Sequence, residues 1–290
     1  MTITFLRKFG RTTAARYGIM IALWAITFCF FAGCEGVSMT DQKSQSLLLA
    51  DIPESKWTAL GSKRIVFGHQ SVGNNIVSGI DELISVRDQP KLNMSLMEEG
   101  GPIQKPGLYH FFVGRNGDPG SKIDDFAKRL RTGVGNQVDI AFFKFCYVDM
   151  DASTDPGALF RYYQQTMADL KRDLPKTRFL HITVPLVAVQ TGPKAWIKRI
   201  VGKTLYGTDD NYRRNEFNKL LLEAYAGKEP VFDLAKAEST HPDGTRSKAR
   251  TRGKEFFVLT PEYTSDGGHL NAIGRAWVAT EFLRFLASNY

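Results

Sequence analysis

An α/β fold, with a parallel sheet covered by helices on both faces, is predicted by three features of the sequence. Short apolar runs rich in Ile, Val and Phe alternate along the chain with segments of helical periodicity. The strongest runs are apolar at nearly every position, as in strands buried on both faces. No internal repeat is present, and 290 residues suit one large domain or two small ones.

The elements follow in order. Residues 64–67 form a short apolar strand that closes at Gly68, and residues 76–86 carry Ile76, Ile80, Leu83 and Ile84 at helical spacing. Residues 92–97 alternate as a strand does. Ile123, Phe126, Ala127 and Leu130 again share a helical face. Residues 138–145 are the strongest strand, followed by a helix over 157–174. A strand over 178–183 stops at Val184-Pro185, then come a helix over 212–226, a strand over 230–234 and a final amphipathic helix over 271–288. In such sheets ligands bind beyond the carboxyl ends of the strands, so the residues just after each strand matter most.

The N-terminus reads as an address. Residues 1–33 hold Arg7, Lys8, Arg11 and Arg16 with no acidic residue, then an apolar stretch from Gly18 to Gly33. A basic start, an apolar run and small residues before a cut make a bacterial export signal. The apolar stretch falls short of the ~20 residues that span a bilayer. Phe31-Ala32-Gly33-Cys34 resembles a lipobox, with Phe31 in place of the usual leucine. The resemblance implies cleavage before Cys34, acylation of that cysteine and a lipid-anchored protein of the cell envelope. Glu35 in place of aspartate favours the outer membrane by the same resemblance. Residues 34–60 are then the lipidated N-terminus and a polar tether, and residues 61–290 the domain.

This partition changes what the composition means. The formal net charge of +8 would suggest an anionic partner such as nucleic acid. Half of it belongs to the leader, however, and the remaining 257 residues carry only +4. Phosphate-binding loops and nucleic-acid modules are absent, so no nucleic-acid partner is expected. With 43% hydrophobic and 23% charged residues, wholesale disorder is excluded. Of three cysteines, Cys29 leaves with the leader, Cys34 is acylated and Cys146 has no partner, so no disulfide is expected.

Two strand-end segments carry chemistry. Gly68-His69-Gln70-Ser71 follows the first strand, where a serine hydroxyl is exposed and helix amides can stabilise an oxyanion. Asp266-Gly267-Gly268-His269 precedes the last helix. An Asp three residues before a His can accept a hydrogen bond from Nδ1 and leave Nε2 as a general base. Ser71, His269 and Asp266 together would make an acyl-transfer triad.

With these two blocks the chain resembles the SGNH/GDSL hydrolase superfamily over residues 64–289. That resemblance implies a three-layer α/β/α, flavodoxin-like parallel sheet and action on carboxylic esters without a cofactor. By the same resemblance, residues 113–126 correspond to the glycine block, whose Gly117 or Gly120 would join the Ser71 amide in an oxyanion hole. Residues 144–149 stand where the family carries Gly-x-Asn-Asp. Two positions depart from the pattern: Gln70 replaces the usual aspartate, and no asparagine stands near Val148. Gln70, Asn74 and Lys144 are candidate substitutes for the missing donor.

The expected function is therefore a serine esterase acting on O-acyl groups of an envelope glycan or lipid. The alternatives are an O-acyltransferase on the same fold and a non-catalytic, glycan-binding lipoprotein that kept the fold and lost turnover. Other residues receive ordinary readings. His69 is a structural neighbour donating to a backbone carbonyl, and His181 is a satisfied core histidine. His110 and His241 have no partner pattern. Cys146 reads as buried packing, and Asp149 as a loop cap. No His-Glu-x-x-His or paired cysteines at zinc spacing occur, so no metal site is expected. Residues 194–203 place Trp196 and Ile200, and Ile197 and Val201, on one helical face. An ordinary helix lying on the domain is expected there, with a lid or a lipid-touching surface as the alternative. Arg246, Lys248, Arg250, Arg252 and Lys254 alternate along a segment expected as a solvated loop, with binding of anionic glycans or lipid headgroups as the sharper reading.

Overall fold

The computed structural model describes residues 49–85, 92–97, 101–201, 205–251 and 253–290. The expected leader, with Cys29 and Cys34, lies outside the described residues, as do Val86, Lys203 and Arg252. Packing begins before residue 61. Helix α1 spans Glu54–Gly61, and Leu49, Ile52, Trp57 and Leu60 are buried in the main core. These apolar side chains make residues 49–60 part of the domain rather than of a tether.

The sheet is parallel, as expected. Strands β1 (Arg64–His69), β2 (Met94–Leu96), β3 (Gly107–Phe112), β4 (Ile140–Phe143) and β5 (Arg178–Phe179) lie in the order β2-β3-β1-β4-β5. Every neighbouring pair is parallel, with Phe67 of β1 opposite His110 of β3 and Phe142 of β4. Beyond β5 the chain runs into β6 (His181–Ile182), which pairs in parallel with β7 (Val231–Phe232). Alternation along β1 feeds two cores. Ile65 and Phe67 pack with Phe142 beneath α2 (Val72–Ser85) and α8 (Ala272–Ser288). Val66 joins Ala141 and Phe143 on the opposite face, against α3 (Pro119–Arg129), α4 (Pro156–Asp173) and α6 (Thr208–Tyr225). The result is three layers, α/β/α.

Local chemistry starts the helices where the site needs them. Asp118 caps α3 by accepting from Ser121 N at 3.0 Å, and Pro119 opens it. Asn271 caps α8, accepting from Gly274 N at 3.0 Å. Helix α2, between β1 and β2, and helix α3, between β3 and β4, cover opposite faces. Beyond β1, where the crossovers diverge, lies the crevice that such sheets use for ligands.

Several elements differ from expectation. Strand β3 lies where no element is expected: its Tyr109 and His110 are half-buried and interrupt the apolar signal. Helix α7 (Leu234–Ser239) follows β7 directly. The basic segment expected as a loop is a hairpin, β8 (Lys248–Thr251) and β9 (Lys254–Phe257). Its charges find partners at home. Arg246 stacks on Phe257 at 3.3 Å, Lys248 and Arg250 approach Glu255 at 3.8 and 3.7 Å, and Lys254 donates to Tyr212 Oη at 2.9 Å. Helix α5 (Pro193–Ile200) does not lie with its apolar face on the domain, since Trp196 is 64% and Ile200 63% exposed. Among the described residues no helix is long and apolar enough to cross a membrane.

Candidate active site

Ser71 leaves the carboxyl end of β1, the middle strand of the five, and α2 begins at the next residue. The chain turns from strand to helix over Gln70 and Ser71, with Ser71 at φ 51°, the only non-glycine residue at positive φ among those described. Such backbone costs about 1–2 kcal/mol and recurs where geometry serves function. Gln70 steadies the turn by donating its side-chain amide to the carbonyl of Gly114 at 3.0 Å.

The hydroxyl of Ser71 lies 2.7 Å from His269 Nε2, although 198 residues separate the two in sequence. On the far side of the ring, His269 Nδ1 lies 2.6 Å from Asp266 Oδ2. The other oxygen of Asp266 accepts from the amides of Gly268 and His269, each at 2.8 Å. Partial burial pushes the Asp266 carboxyl up. The Gly268 amide and the His269 ring and amide outweigh that and hold it well below the usual carboxylate range. An ionised Asp266 fixes Nδ1 as the protonated nitrogen and leaves Nε2 to accept a proton. The structure thus brings together the three residues that the sequence singles out.

Tyr147 is the neighbour that sequence reasoning missed. Its hydroxyl lies 3.5 Å from His269 Nε2, and its ring meets the imidazole edge-on at 5.6 Å. Gly268 permits this approach, because a Cβ there would stand 2.8 Å from the Tyr147 ring. Arg214, itself buried, donates to the Tyr147 carbonyl at 2.8 Å. Burial, and after it the charge of Asp266, raise the Tyr147 pKa, so the phenol stays protonated and acts as a donor. The available signal was its place inside residues 144–149, where the resembled family keeps an asparagine donor.

The glycine block is organised by a buried ion pair. Lys122 Nζ and Asp149 Oδ2 lie 2.6 Å apart with neither side chain exposed. Asp149 also accepts from Cys146 N at 2.6 Å and Gly117 N at 2.9 Å, while Lys122 donates to Asn116 Oδ1 at 3.0 Å. Asp149 is therefore more than a loop cap: it joins the residue 114–118 loop to the loop holding Tyr147. Its bond to the Gly117 amide assigns that amide to Asp149 and not to an oxyanion. Gly120, in the first turn of α3, is the remaining glycine candidate. Removing one partner of such a buried pair costs about 3–5 kcal/mol.

The other candidates are occupied elsewhere. Lys144 is fully buried and donates to the carbonyl of Phe145 at 2.9 Å. Gln70 is held by the Gly114 carbonyl, and Asn74 is exposed on α2. Cys146 is a buried free thiol. His69 bonds to no backbone carbonyl: its Nε2 faces His110 Nδ1 at 3.0 Å, and its buried Nδ1 is unpartnered. His181 lies in the core between Tyr163 Oη at 2.7 Å and Glu229 Oε2 at 3.0 Å. His241 meets Ser247 Oγ at 2.8 Å. Among the described residues, no group of three or more His, Cys, Asp and Glu side chains is gathered for a metal.

Around the triad the rim is apolar. Leu96 ends β2, Phe112 ends β3, Val148 follows β4 and Ile273 opens α8, and all four are exposed. The chain matches no protein-family model and no curated protein. Solved structures do match. A GDSL-like lipase from Bacteroides thetaiotaomicron shares 14% identity at a TM-score of 0.48, over 87% of this chain and 98% of that one. A carbohydrate esterase family 3 protein from Talaromyces cellulolyticus shares 12% at 0.40, over 78% and 97%. The periplasmic domain of a lipopolysaccharide acetyltransferase from Salmonella ser. Paratyphi A shares 12% at 0.38, over 84% and 94%.

Proposed function

We propose that the protein is a serine esterase in which Ser71 is the nucleophile, His269 the general base and Asp266 its orienting partner. The observation that carries this reading is the continuous contact Ser71–His269–Asp266, at 2.7 and 2.6 Å, across two segments that only the fold brings together. Ser71 Oγ attacks the ester carbonyl while His269 Nε2 takes its proton, and Asp266 stabilises the imidazolium that forms. The Ser71 amide, the Gly120 amide and the Tyr147 hydroxyl are assigned to the oxyanion of the tetrahedral intermediate. His269 then protonates the leaving alcohol, and water releases the acyl group by the same steps in reverse.

The export signal and the lipobox-like Cys34 support an envelope location with a lipid anchor, and hence an O-acyl group on an envelope glycan or lipid as substrate. The serine held at positive φ within hydrogen-bond reach of His269 supports turnover over a fold that only binds. A fluorophosphonate probe tests the reading directly. The native protein is expected to label at one serine, and Ser71→Ala to abolish labelling without changing its thermal unfolding. A folded native protein that stays unlabelled ends the esterase reading.

A further inference from the structure

The residues at the carboxyl ends of the strands share a surface property that the chemistry of Ser71 does not use. Besides the four rim residues above, Trp196, Ile197, Ile200, Val201 and Tyr206 are exposed, each by more than half. Together they make nine of the ten large exposed hydrophobic side chains among the described residues, Tyr162 being the tenth. Scattered apolar residues on a surface need no explanation, but a contiguous set marks a binding face. In a parallel sheet all the carboxyl ends lie on one side, so Leu96 and Phe112 share a face with Ser71, and Val148 follows Tyr147 there.

Helix α5 is rooted beside the triad. Ala188 N donates to the carbonyl of Gly267, inside the Asp266–His269 turn, at 2.8 Å. At 3.4 Å, Gln190 N reaches the carbonyl of Tyr206, so the excursion bearing α5 leaves and returns at one place. Its composition is equally one-sided. Lys194, Lys198, Arg199 and Lys203 fall within ten residues, and no Asp or Glu occurs between Asp173 and Asp209. Tryptophan, β-branched aliphatics and clustered basic residues within one short segment of sequence suit the interface of an anionic bilayer. There the apolar groups enter the acyl boundary and the cations meet phosphate.

We infer that the face carrying the triad docks on an anionic phospholipid surface through α5, with Trp196 and Ile200 entering the bilayer interface. The orientation rests on the esterase reading only in that it would present Ser71 to esters held at the membrane; docking itself needs no turnover. Hydrogen exchange on the full-length chain, reconstituted into vesicles, separates the two. In vesicles containing phosphatidylglycerol, amides 193–201 are expected to exchange about tenfold more slowly than in pure phosphatidylcholine. Trp196→Ser/Ile200→Ser is expected to remove that protection while leaving fluorophosphonate labelling of Ser71 intact. An anchor at Cys34 would hold parent and variant on the vesicle alike, so the comparison reads α5 alone. Equal exchange in the two lipids overturns the inference. So does slow exchange without lipid, which would make α5 a lid, or protection that grows with protein concentration, which would make the face a self-association surface.

Discussion

Ser71 and Tyr147 show how much a single position contributes to this site. Ser71 accepts a backbone conformation that glycine would tolerate better, and in return its hydroxyl stands directly before His269. Tyr147 is held from three sides: the Arg214 bond to its carbonyl, the cleared space at Gly268 and the edge-on imidazole. Tyr147→Phe keeps the ring and its packing and removes only the donor. As a donor to the oxyanion, its loss should lower kcat by roughly 10²-fold, the size expected for one oxyanion-hole hydrogen bond, and leave KM nearly unchanged. A ring that merely supports His269 would predict parental kcat for the phenylalanine variant, and steady-state kinetics on a small aryl ester decides between them.

Elements, unlike single residues, carry a pH dependence that follows from burial. On β1, burial, then repulsion from His110 and Lys144, lowers the His69 pKa to about 2. On β6, burial lowers that of His181 to about 4 against the opposing bond to Glu229. Both imidazoles are neutral in the fold at pH values where an unfolded histidine, near 6.5, takes up a proton. The unfolded chain therefore binds more protons than the fold below pH 6.5, and each histidine makes stability fall by about 1.4 kcal/mol per pH unit of acidification. Glu238 on α7 acts oppositely: burial raises its carboxyl to about 8, so the fold holds the extra proton between 4.5 and 8. His69→Phe should thus flatten the stability slope between pH 6.5 and 5 by about one proton. Denaturant titrations at those two pH values check it, and parental slopes in the variant would refute a neutral buried His69. The same elements explain what the sequence makes legible. Strands β1 and β4 announce themselves because burial on both faces demands continuous apolar runs. Strand β3 carries half-buried Tyr109 and His110, and its signal is lost. Ser71 and His269 are legible from their places just after a strand and just before a helix. The Lys122–Asp149 pair and the approach of Tyr147 to His269 are not, because each depends on loops that only the finished sheet brings together.

At the scale of the whole molecule, two separate contacts with a membrane are proposed, and they differ in how they respond to salt. Acyl chains on Cys34 would contribute ~0.8 kcal/mol per buried CH₂, a term that ionic strength barely touches. Docking through α5 depends partly on the basic cluster, whose attraction is screened over ~3 Å at 1 M salt against ~10 Å at 0.1 M. Residues 34–290 carry only +4, half of the whole chain's charge, so the basic cluster near α5 is a local feature and not part of a strongly basic surface. The expected outcome follows in two steps. At low salt both the parent and a leader-cleaved Cys34→Ser chain sediment with membranes, the variant through α5 alone. A 1 M salt wash should then release Cys34→Ser and leave the parent bound, read by immunoblot of the two fractions. Release of the parent by that wash would refute acyl anchoring at Cys34, and so would retention of a leader-cleaved Cys34→Ser chain.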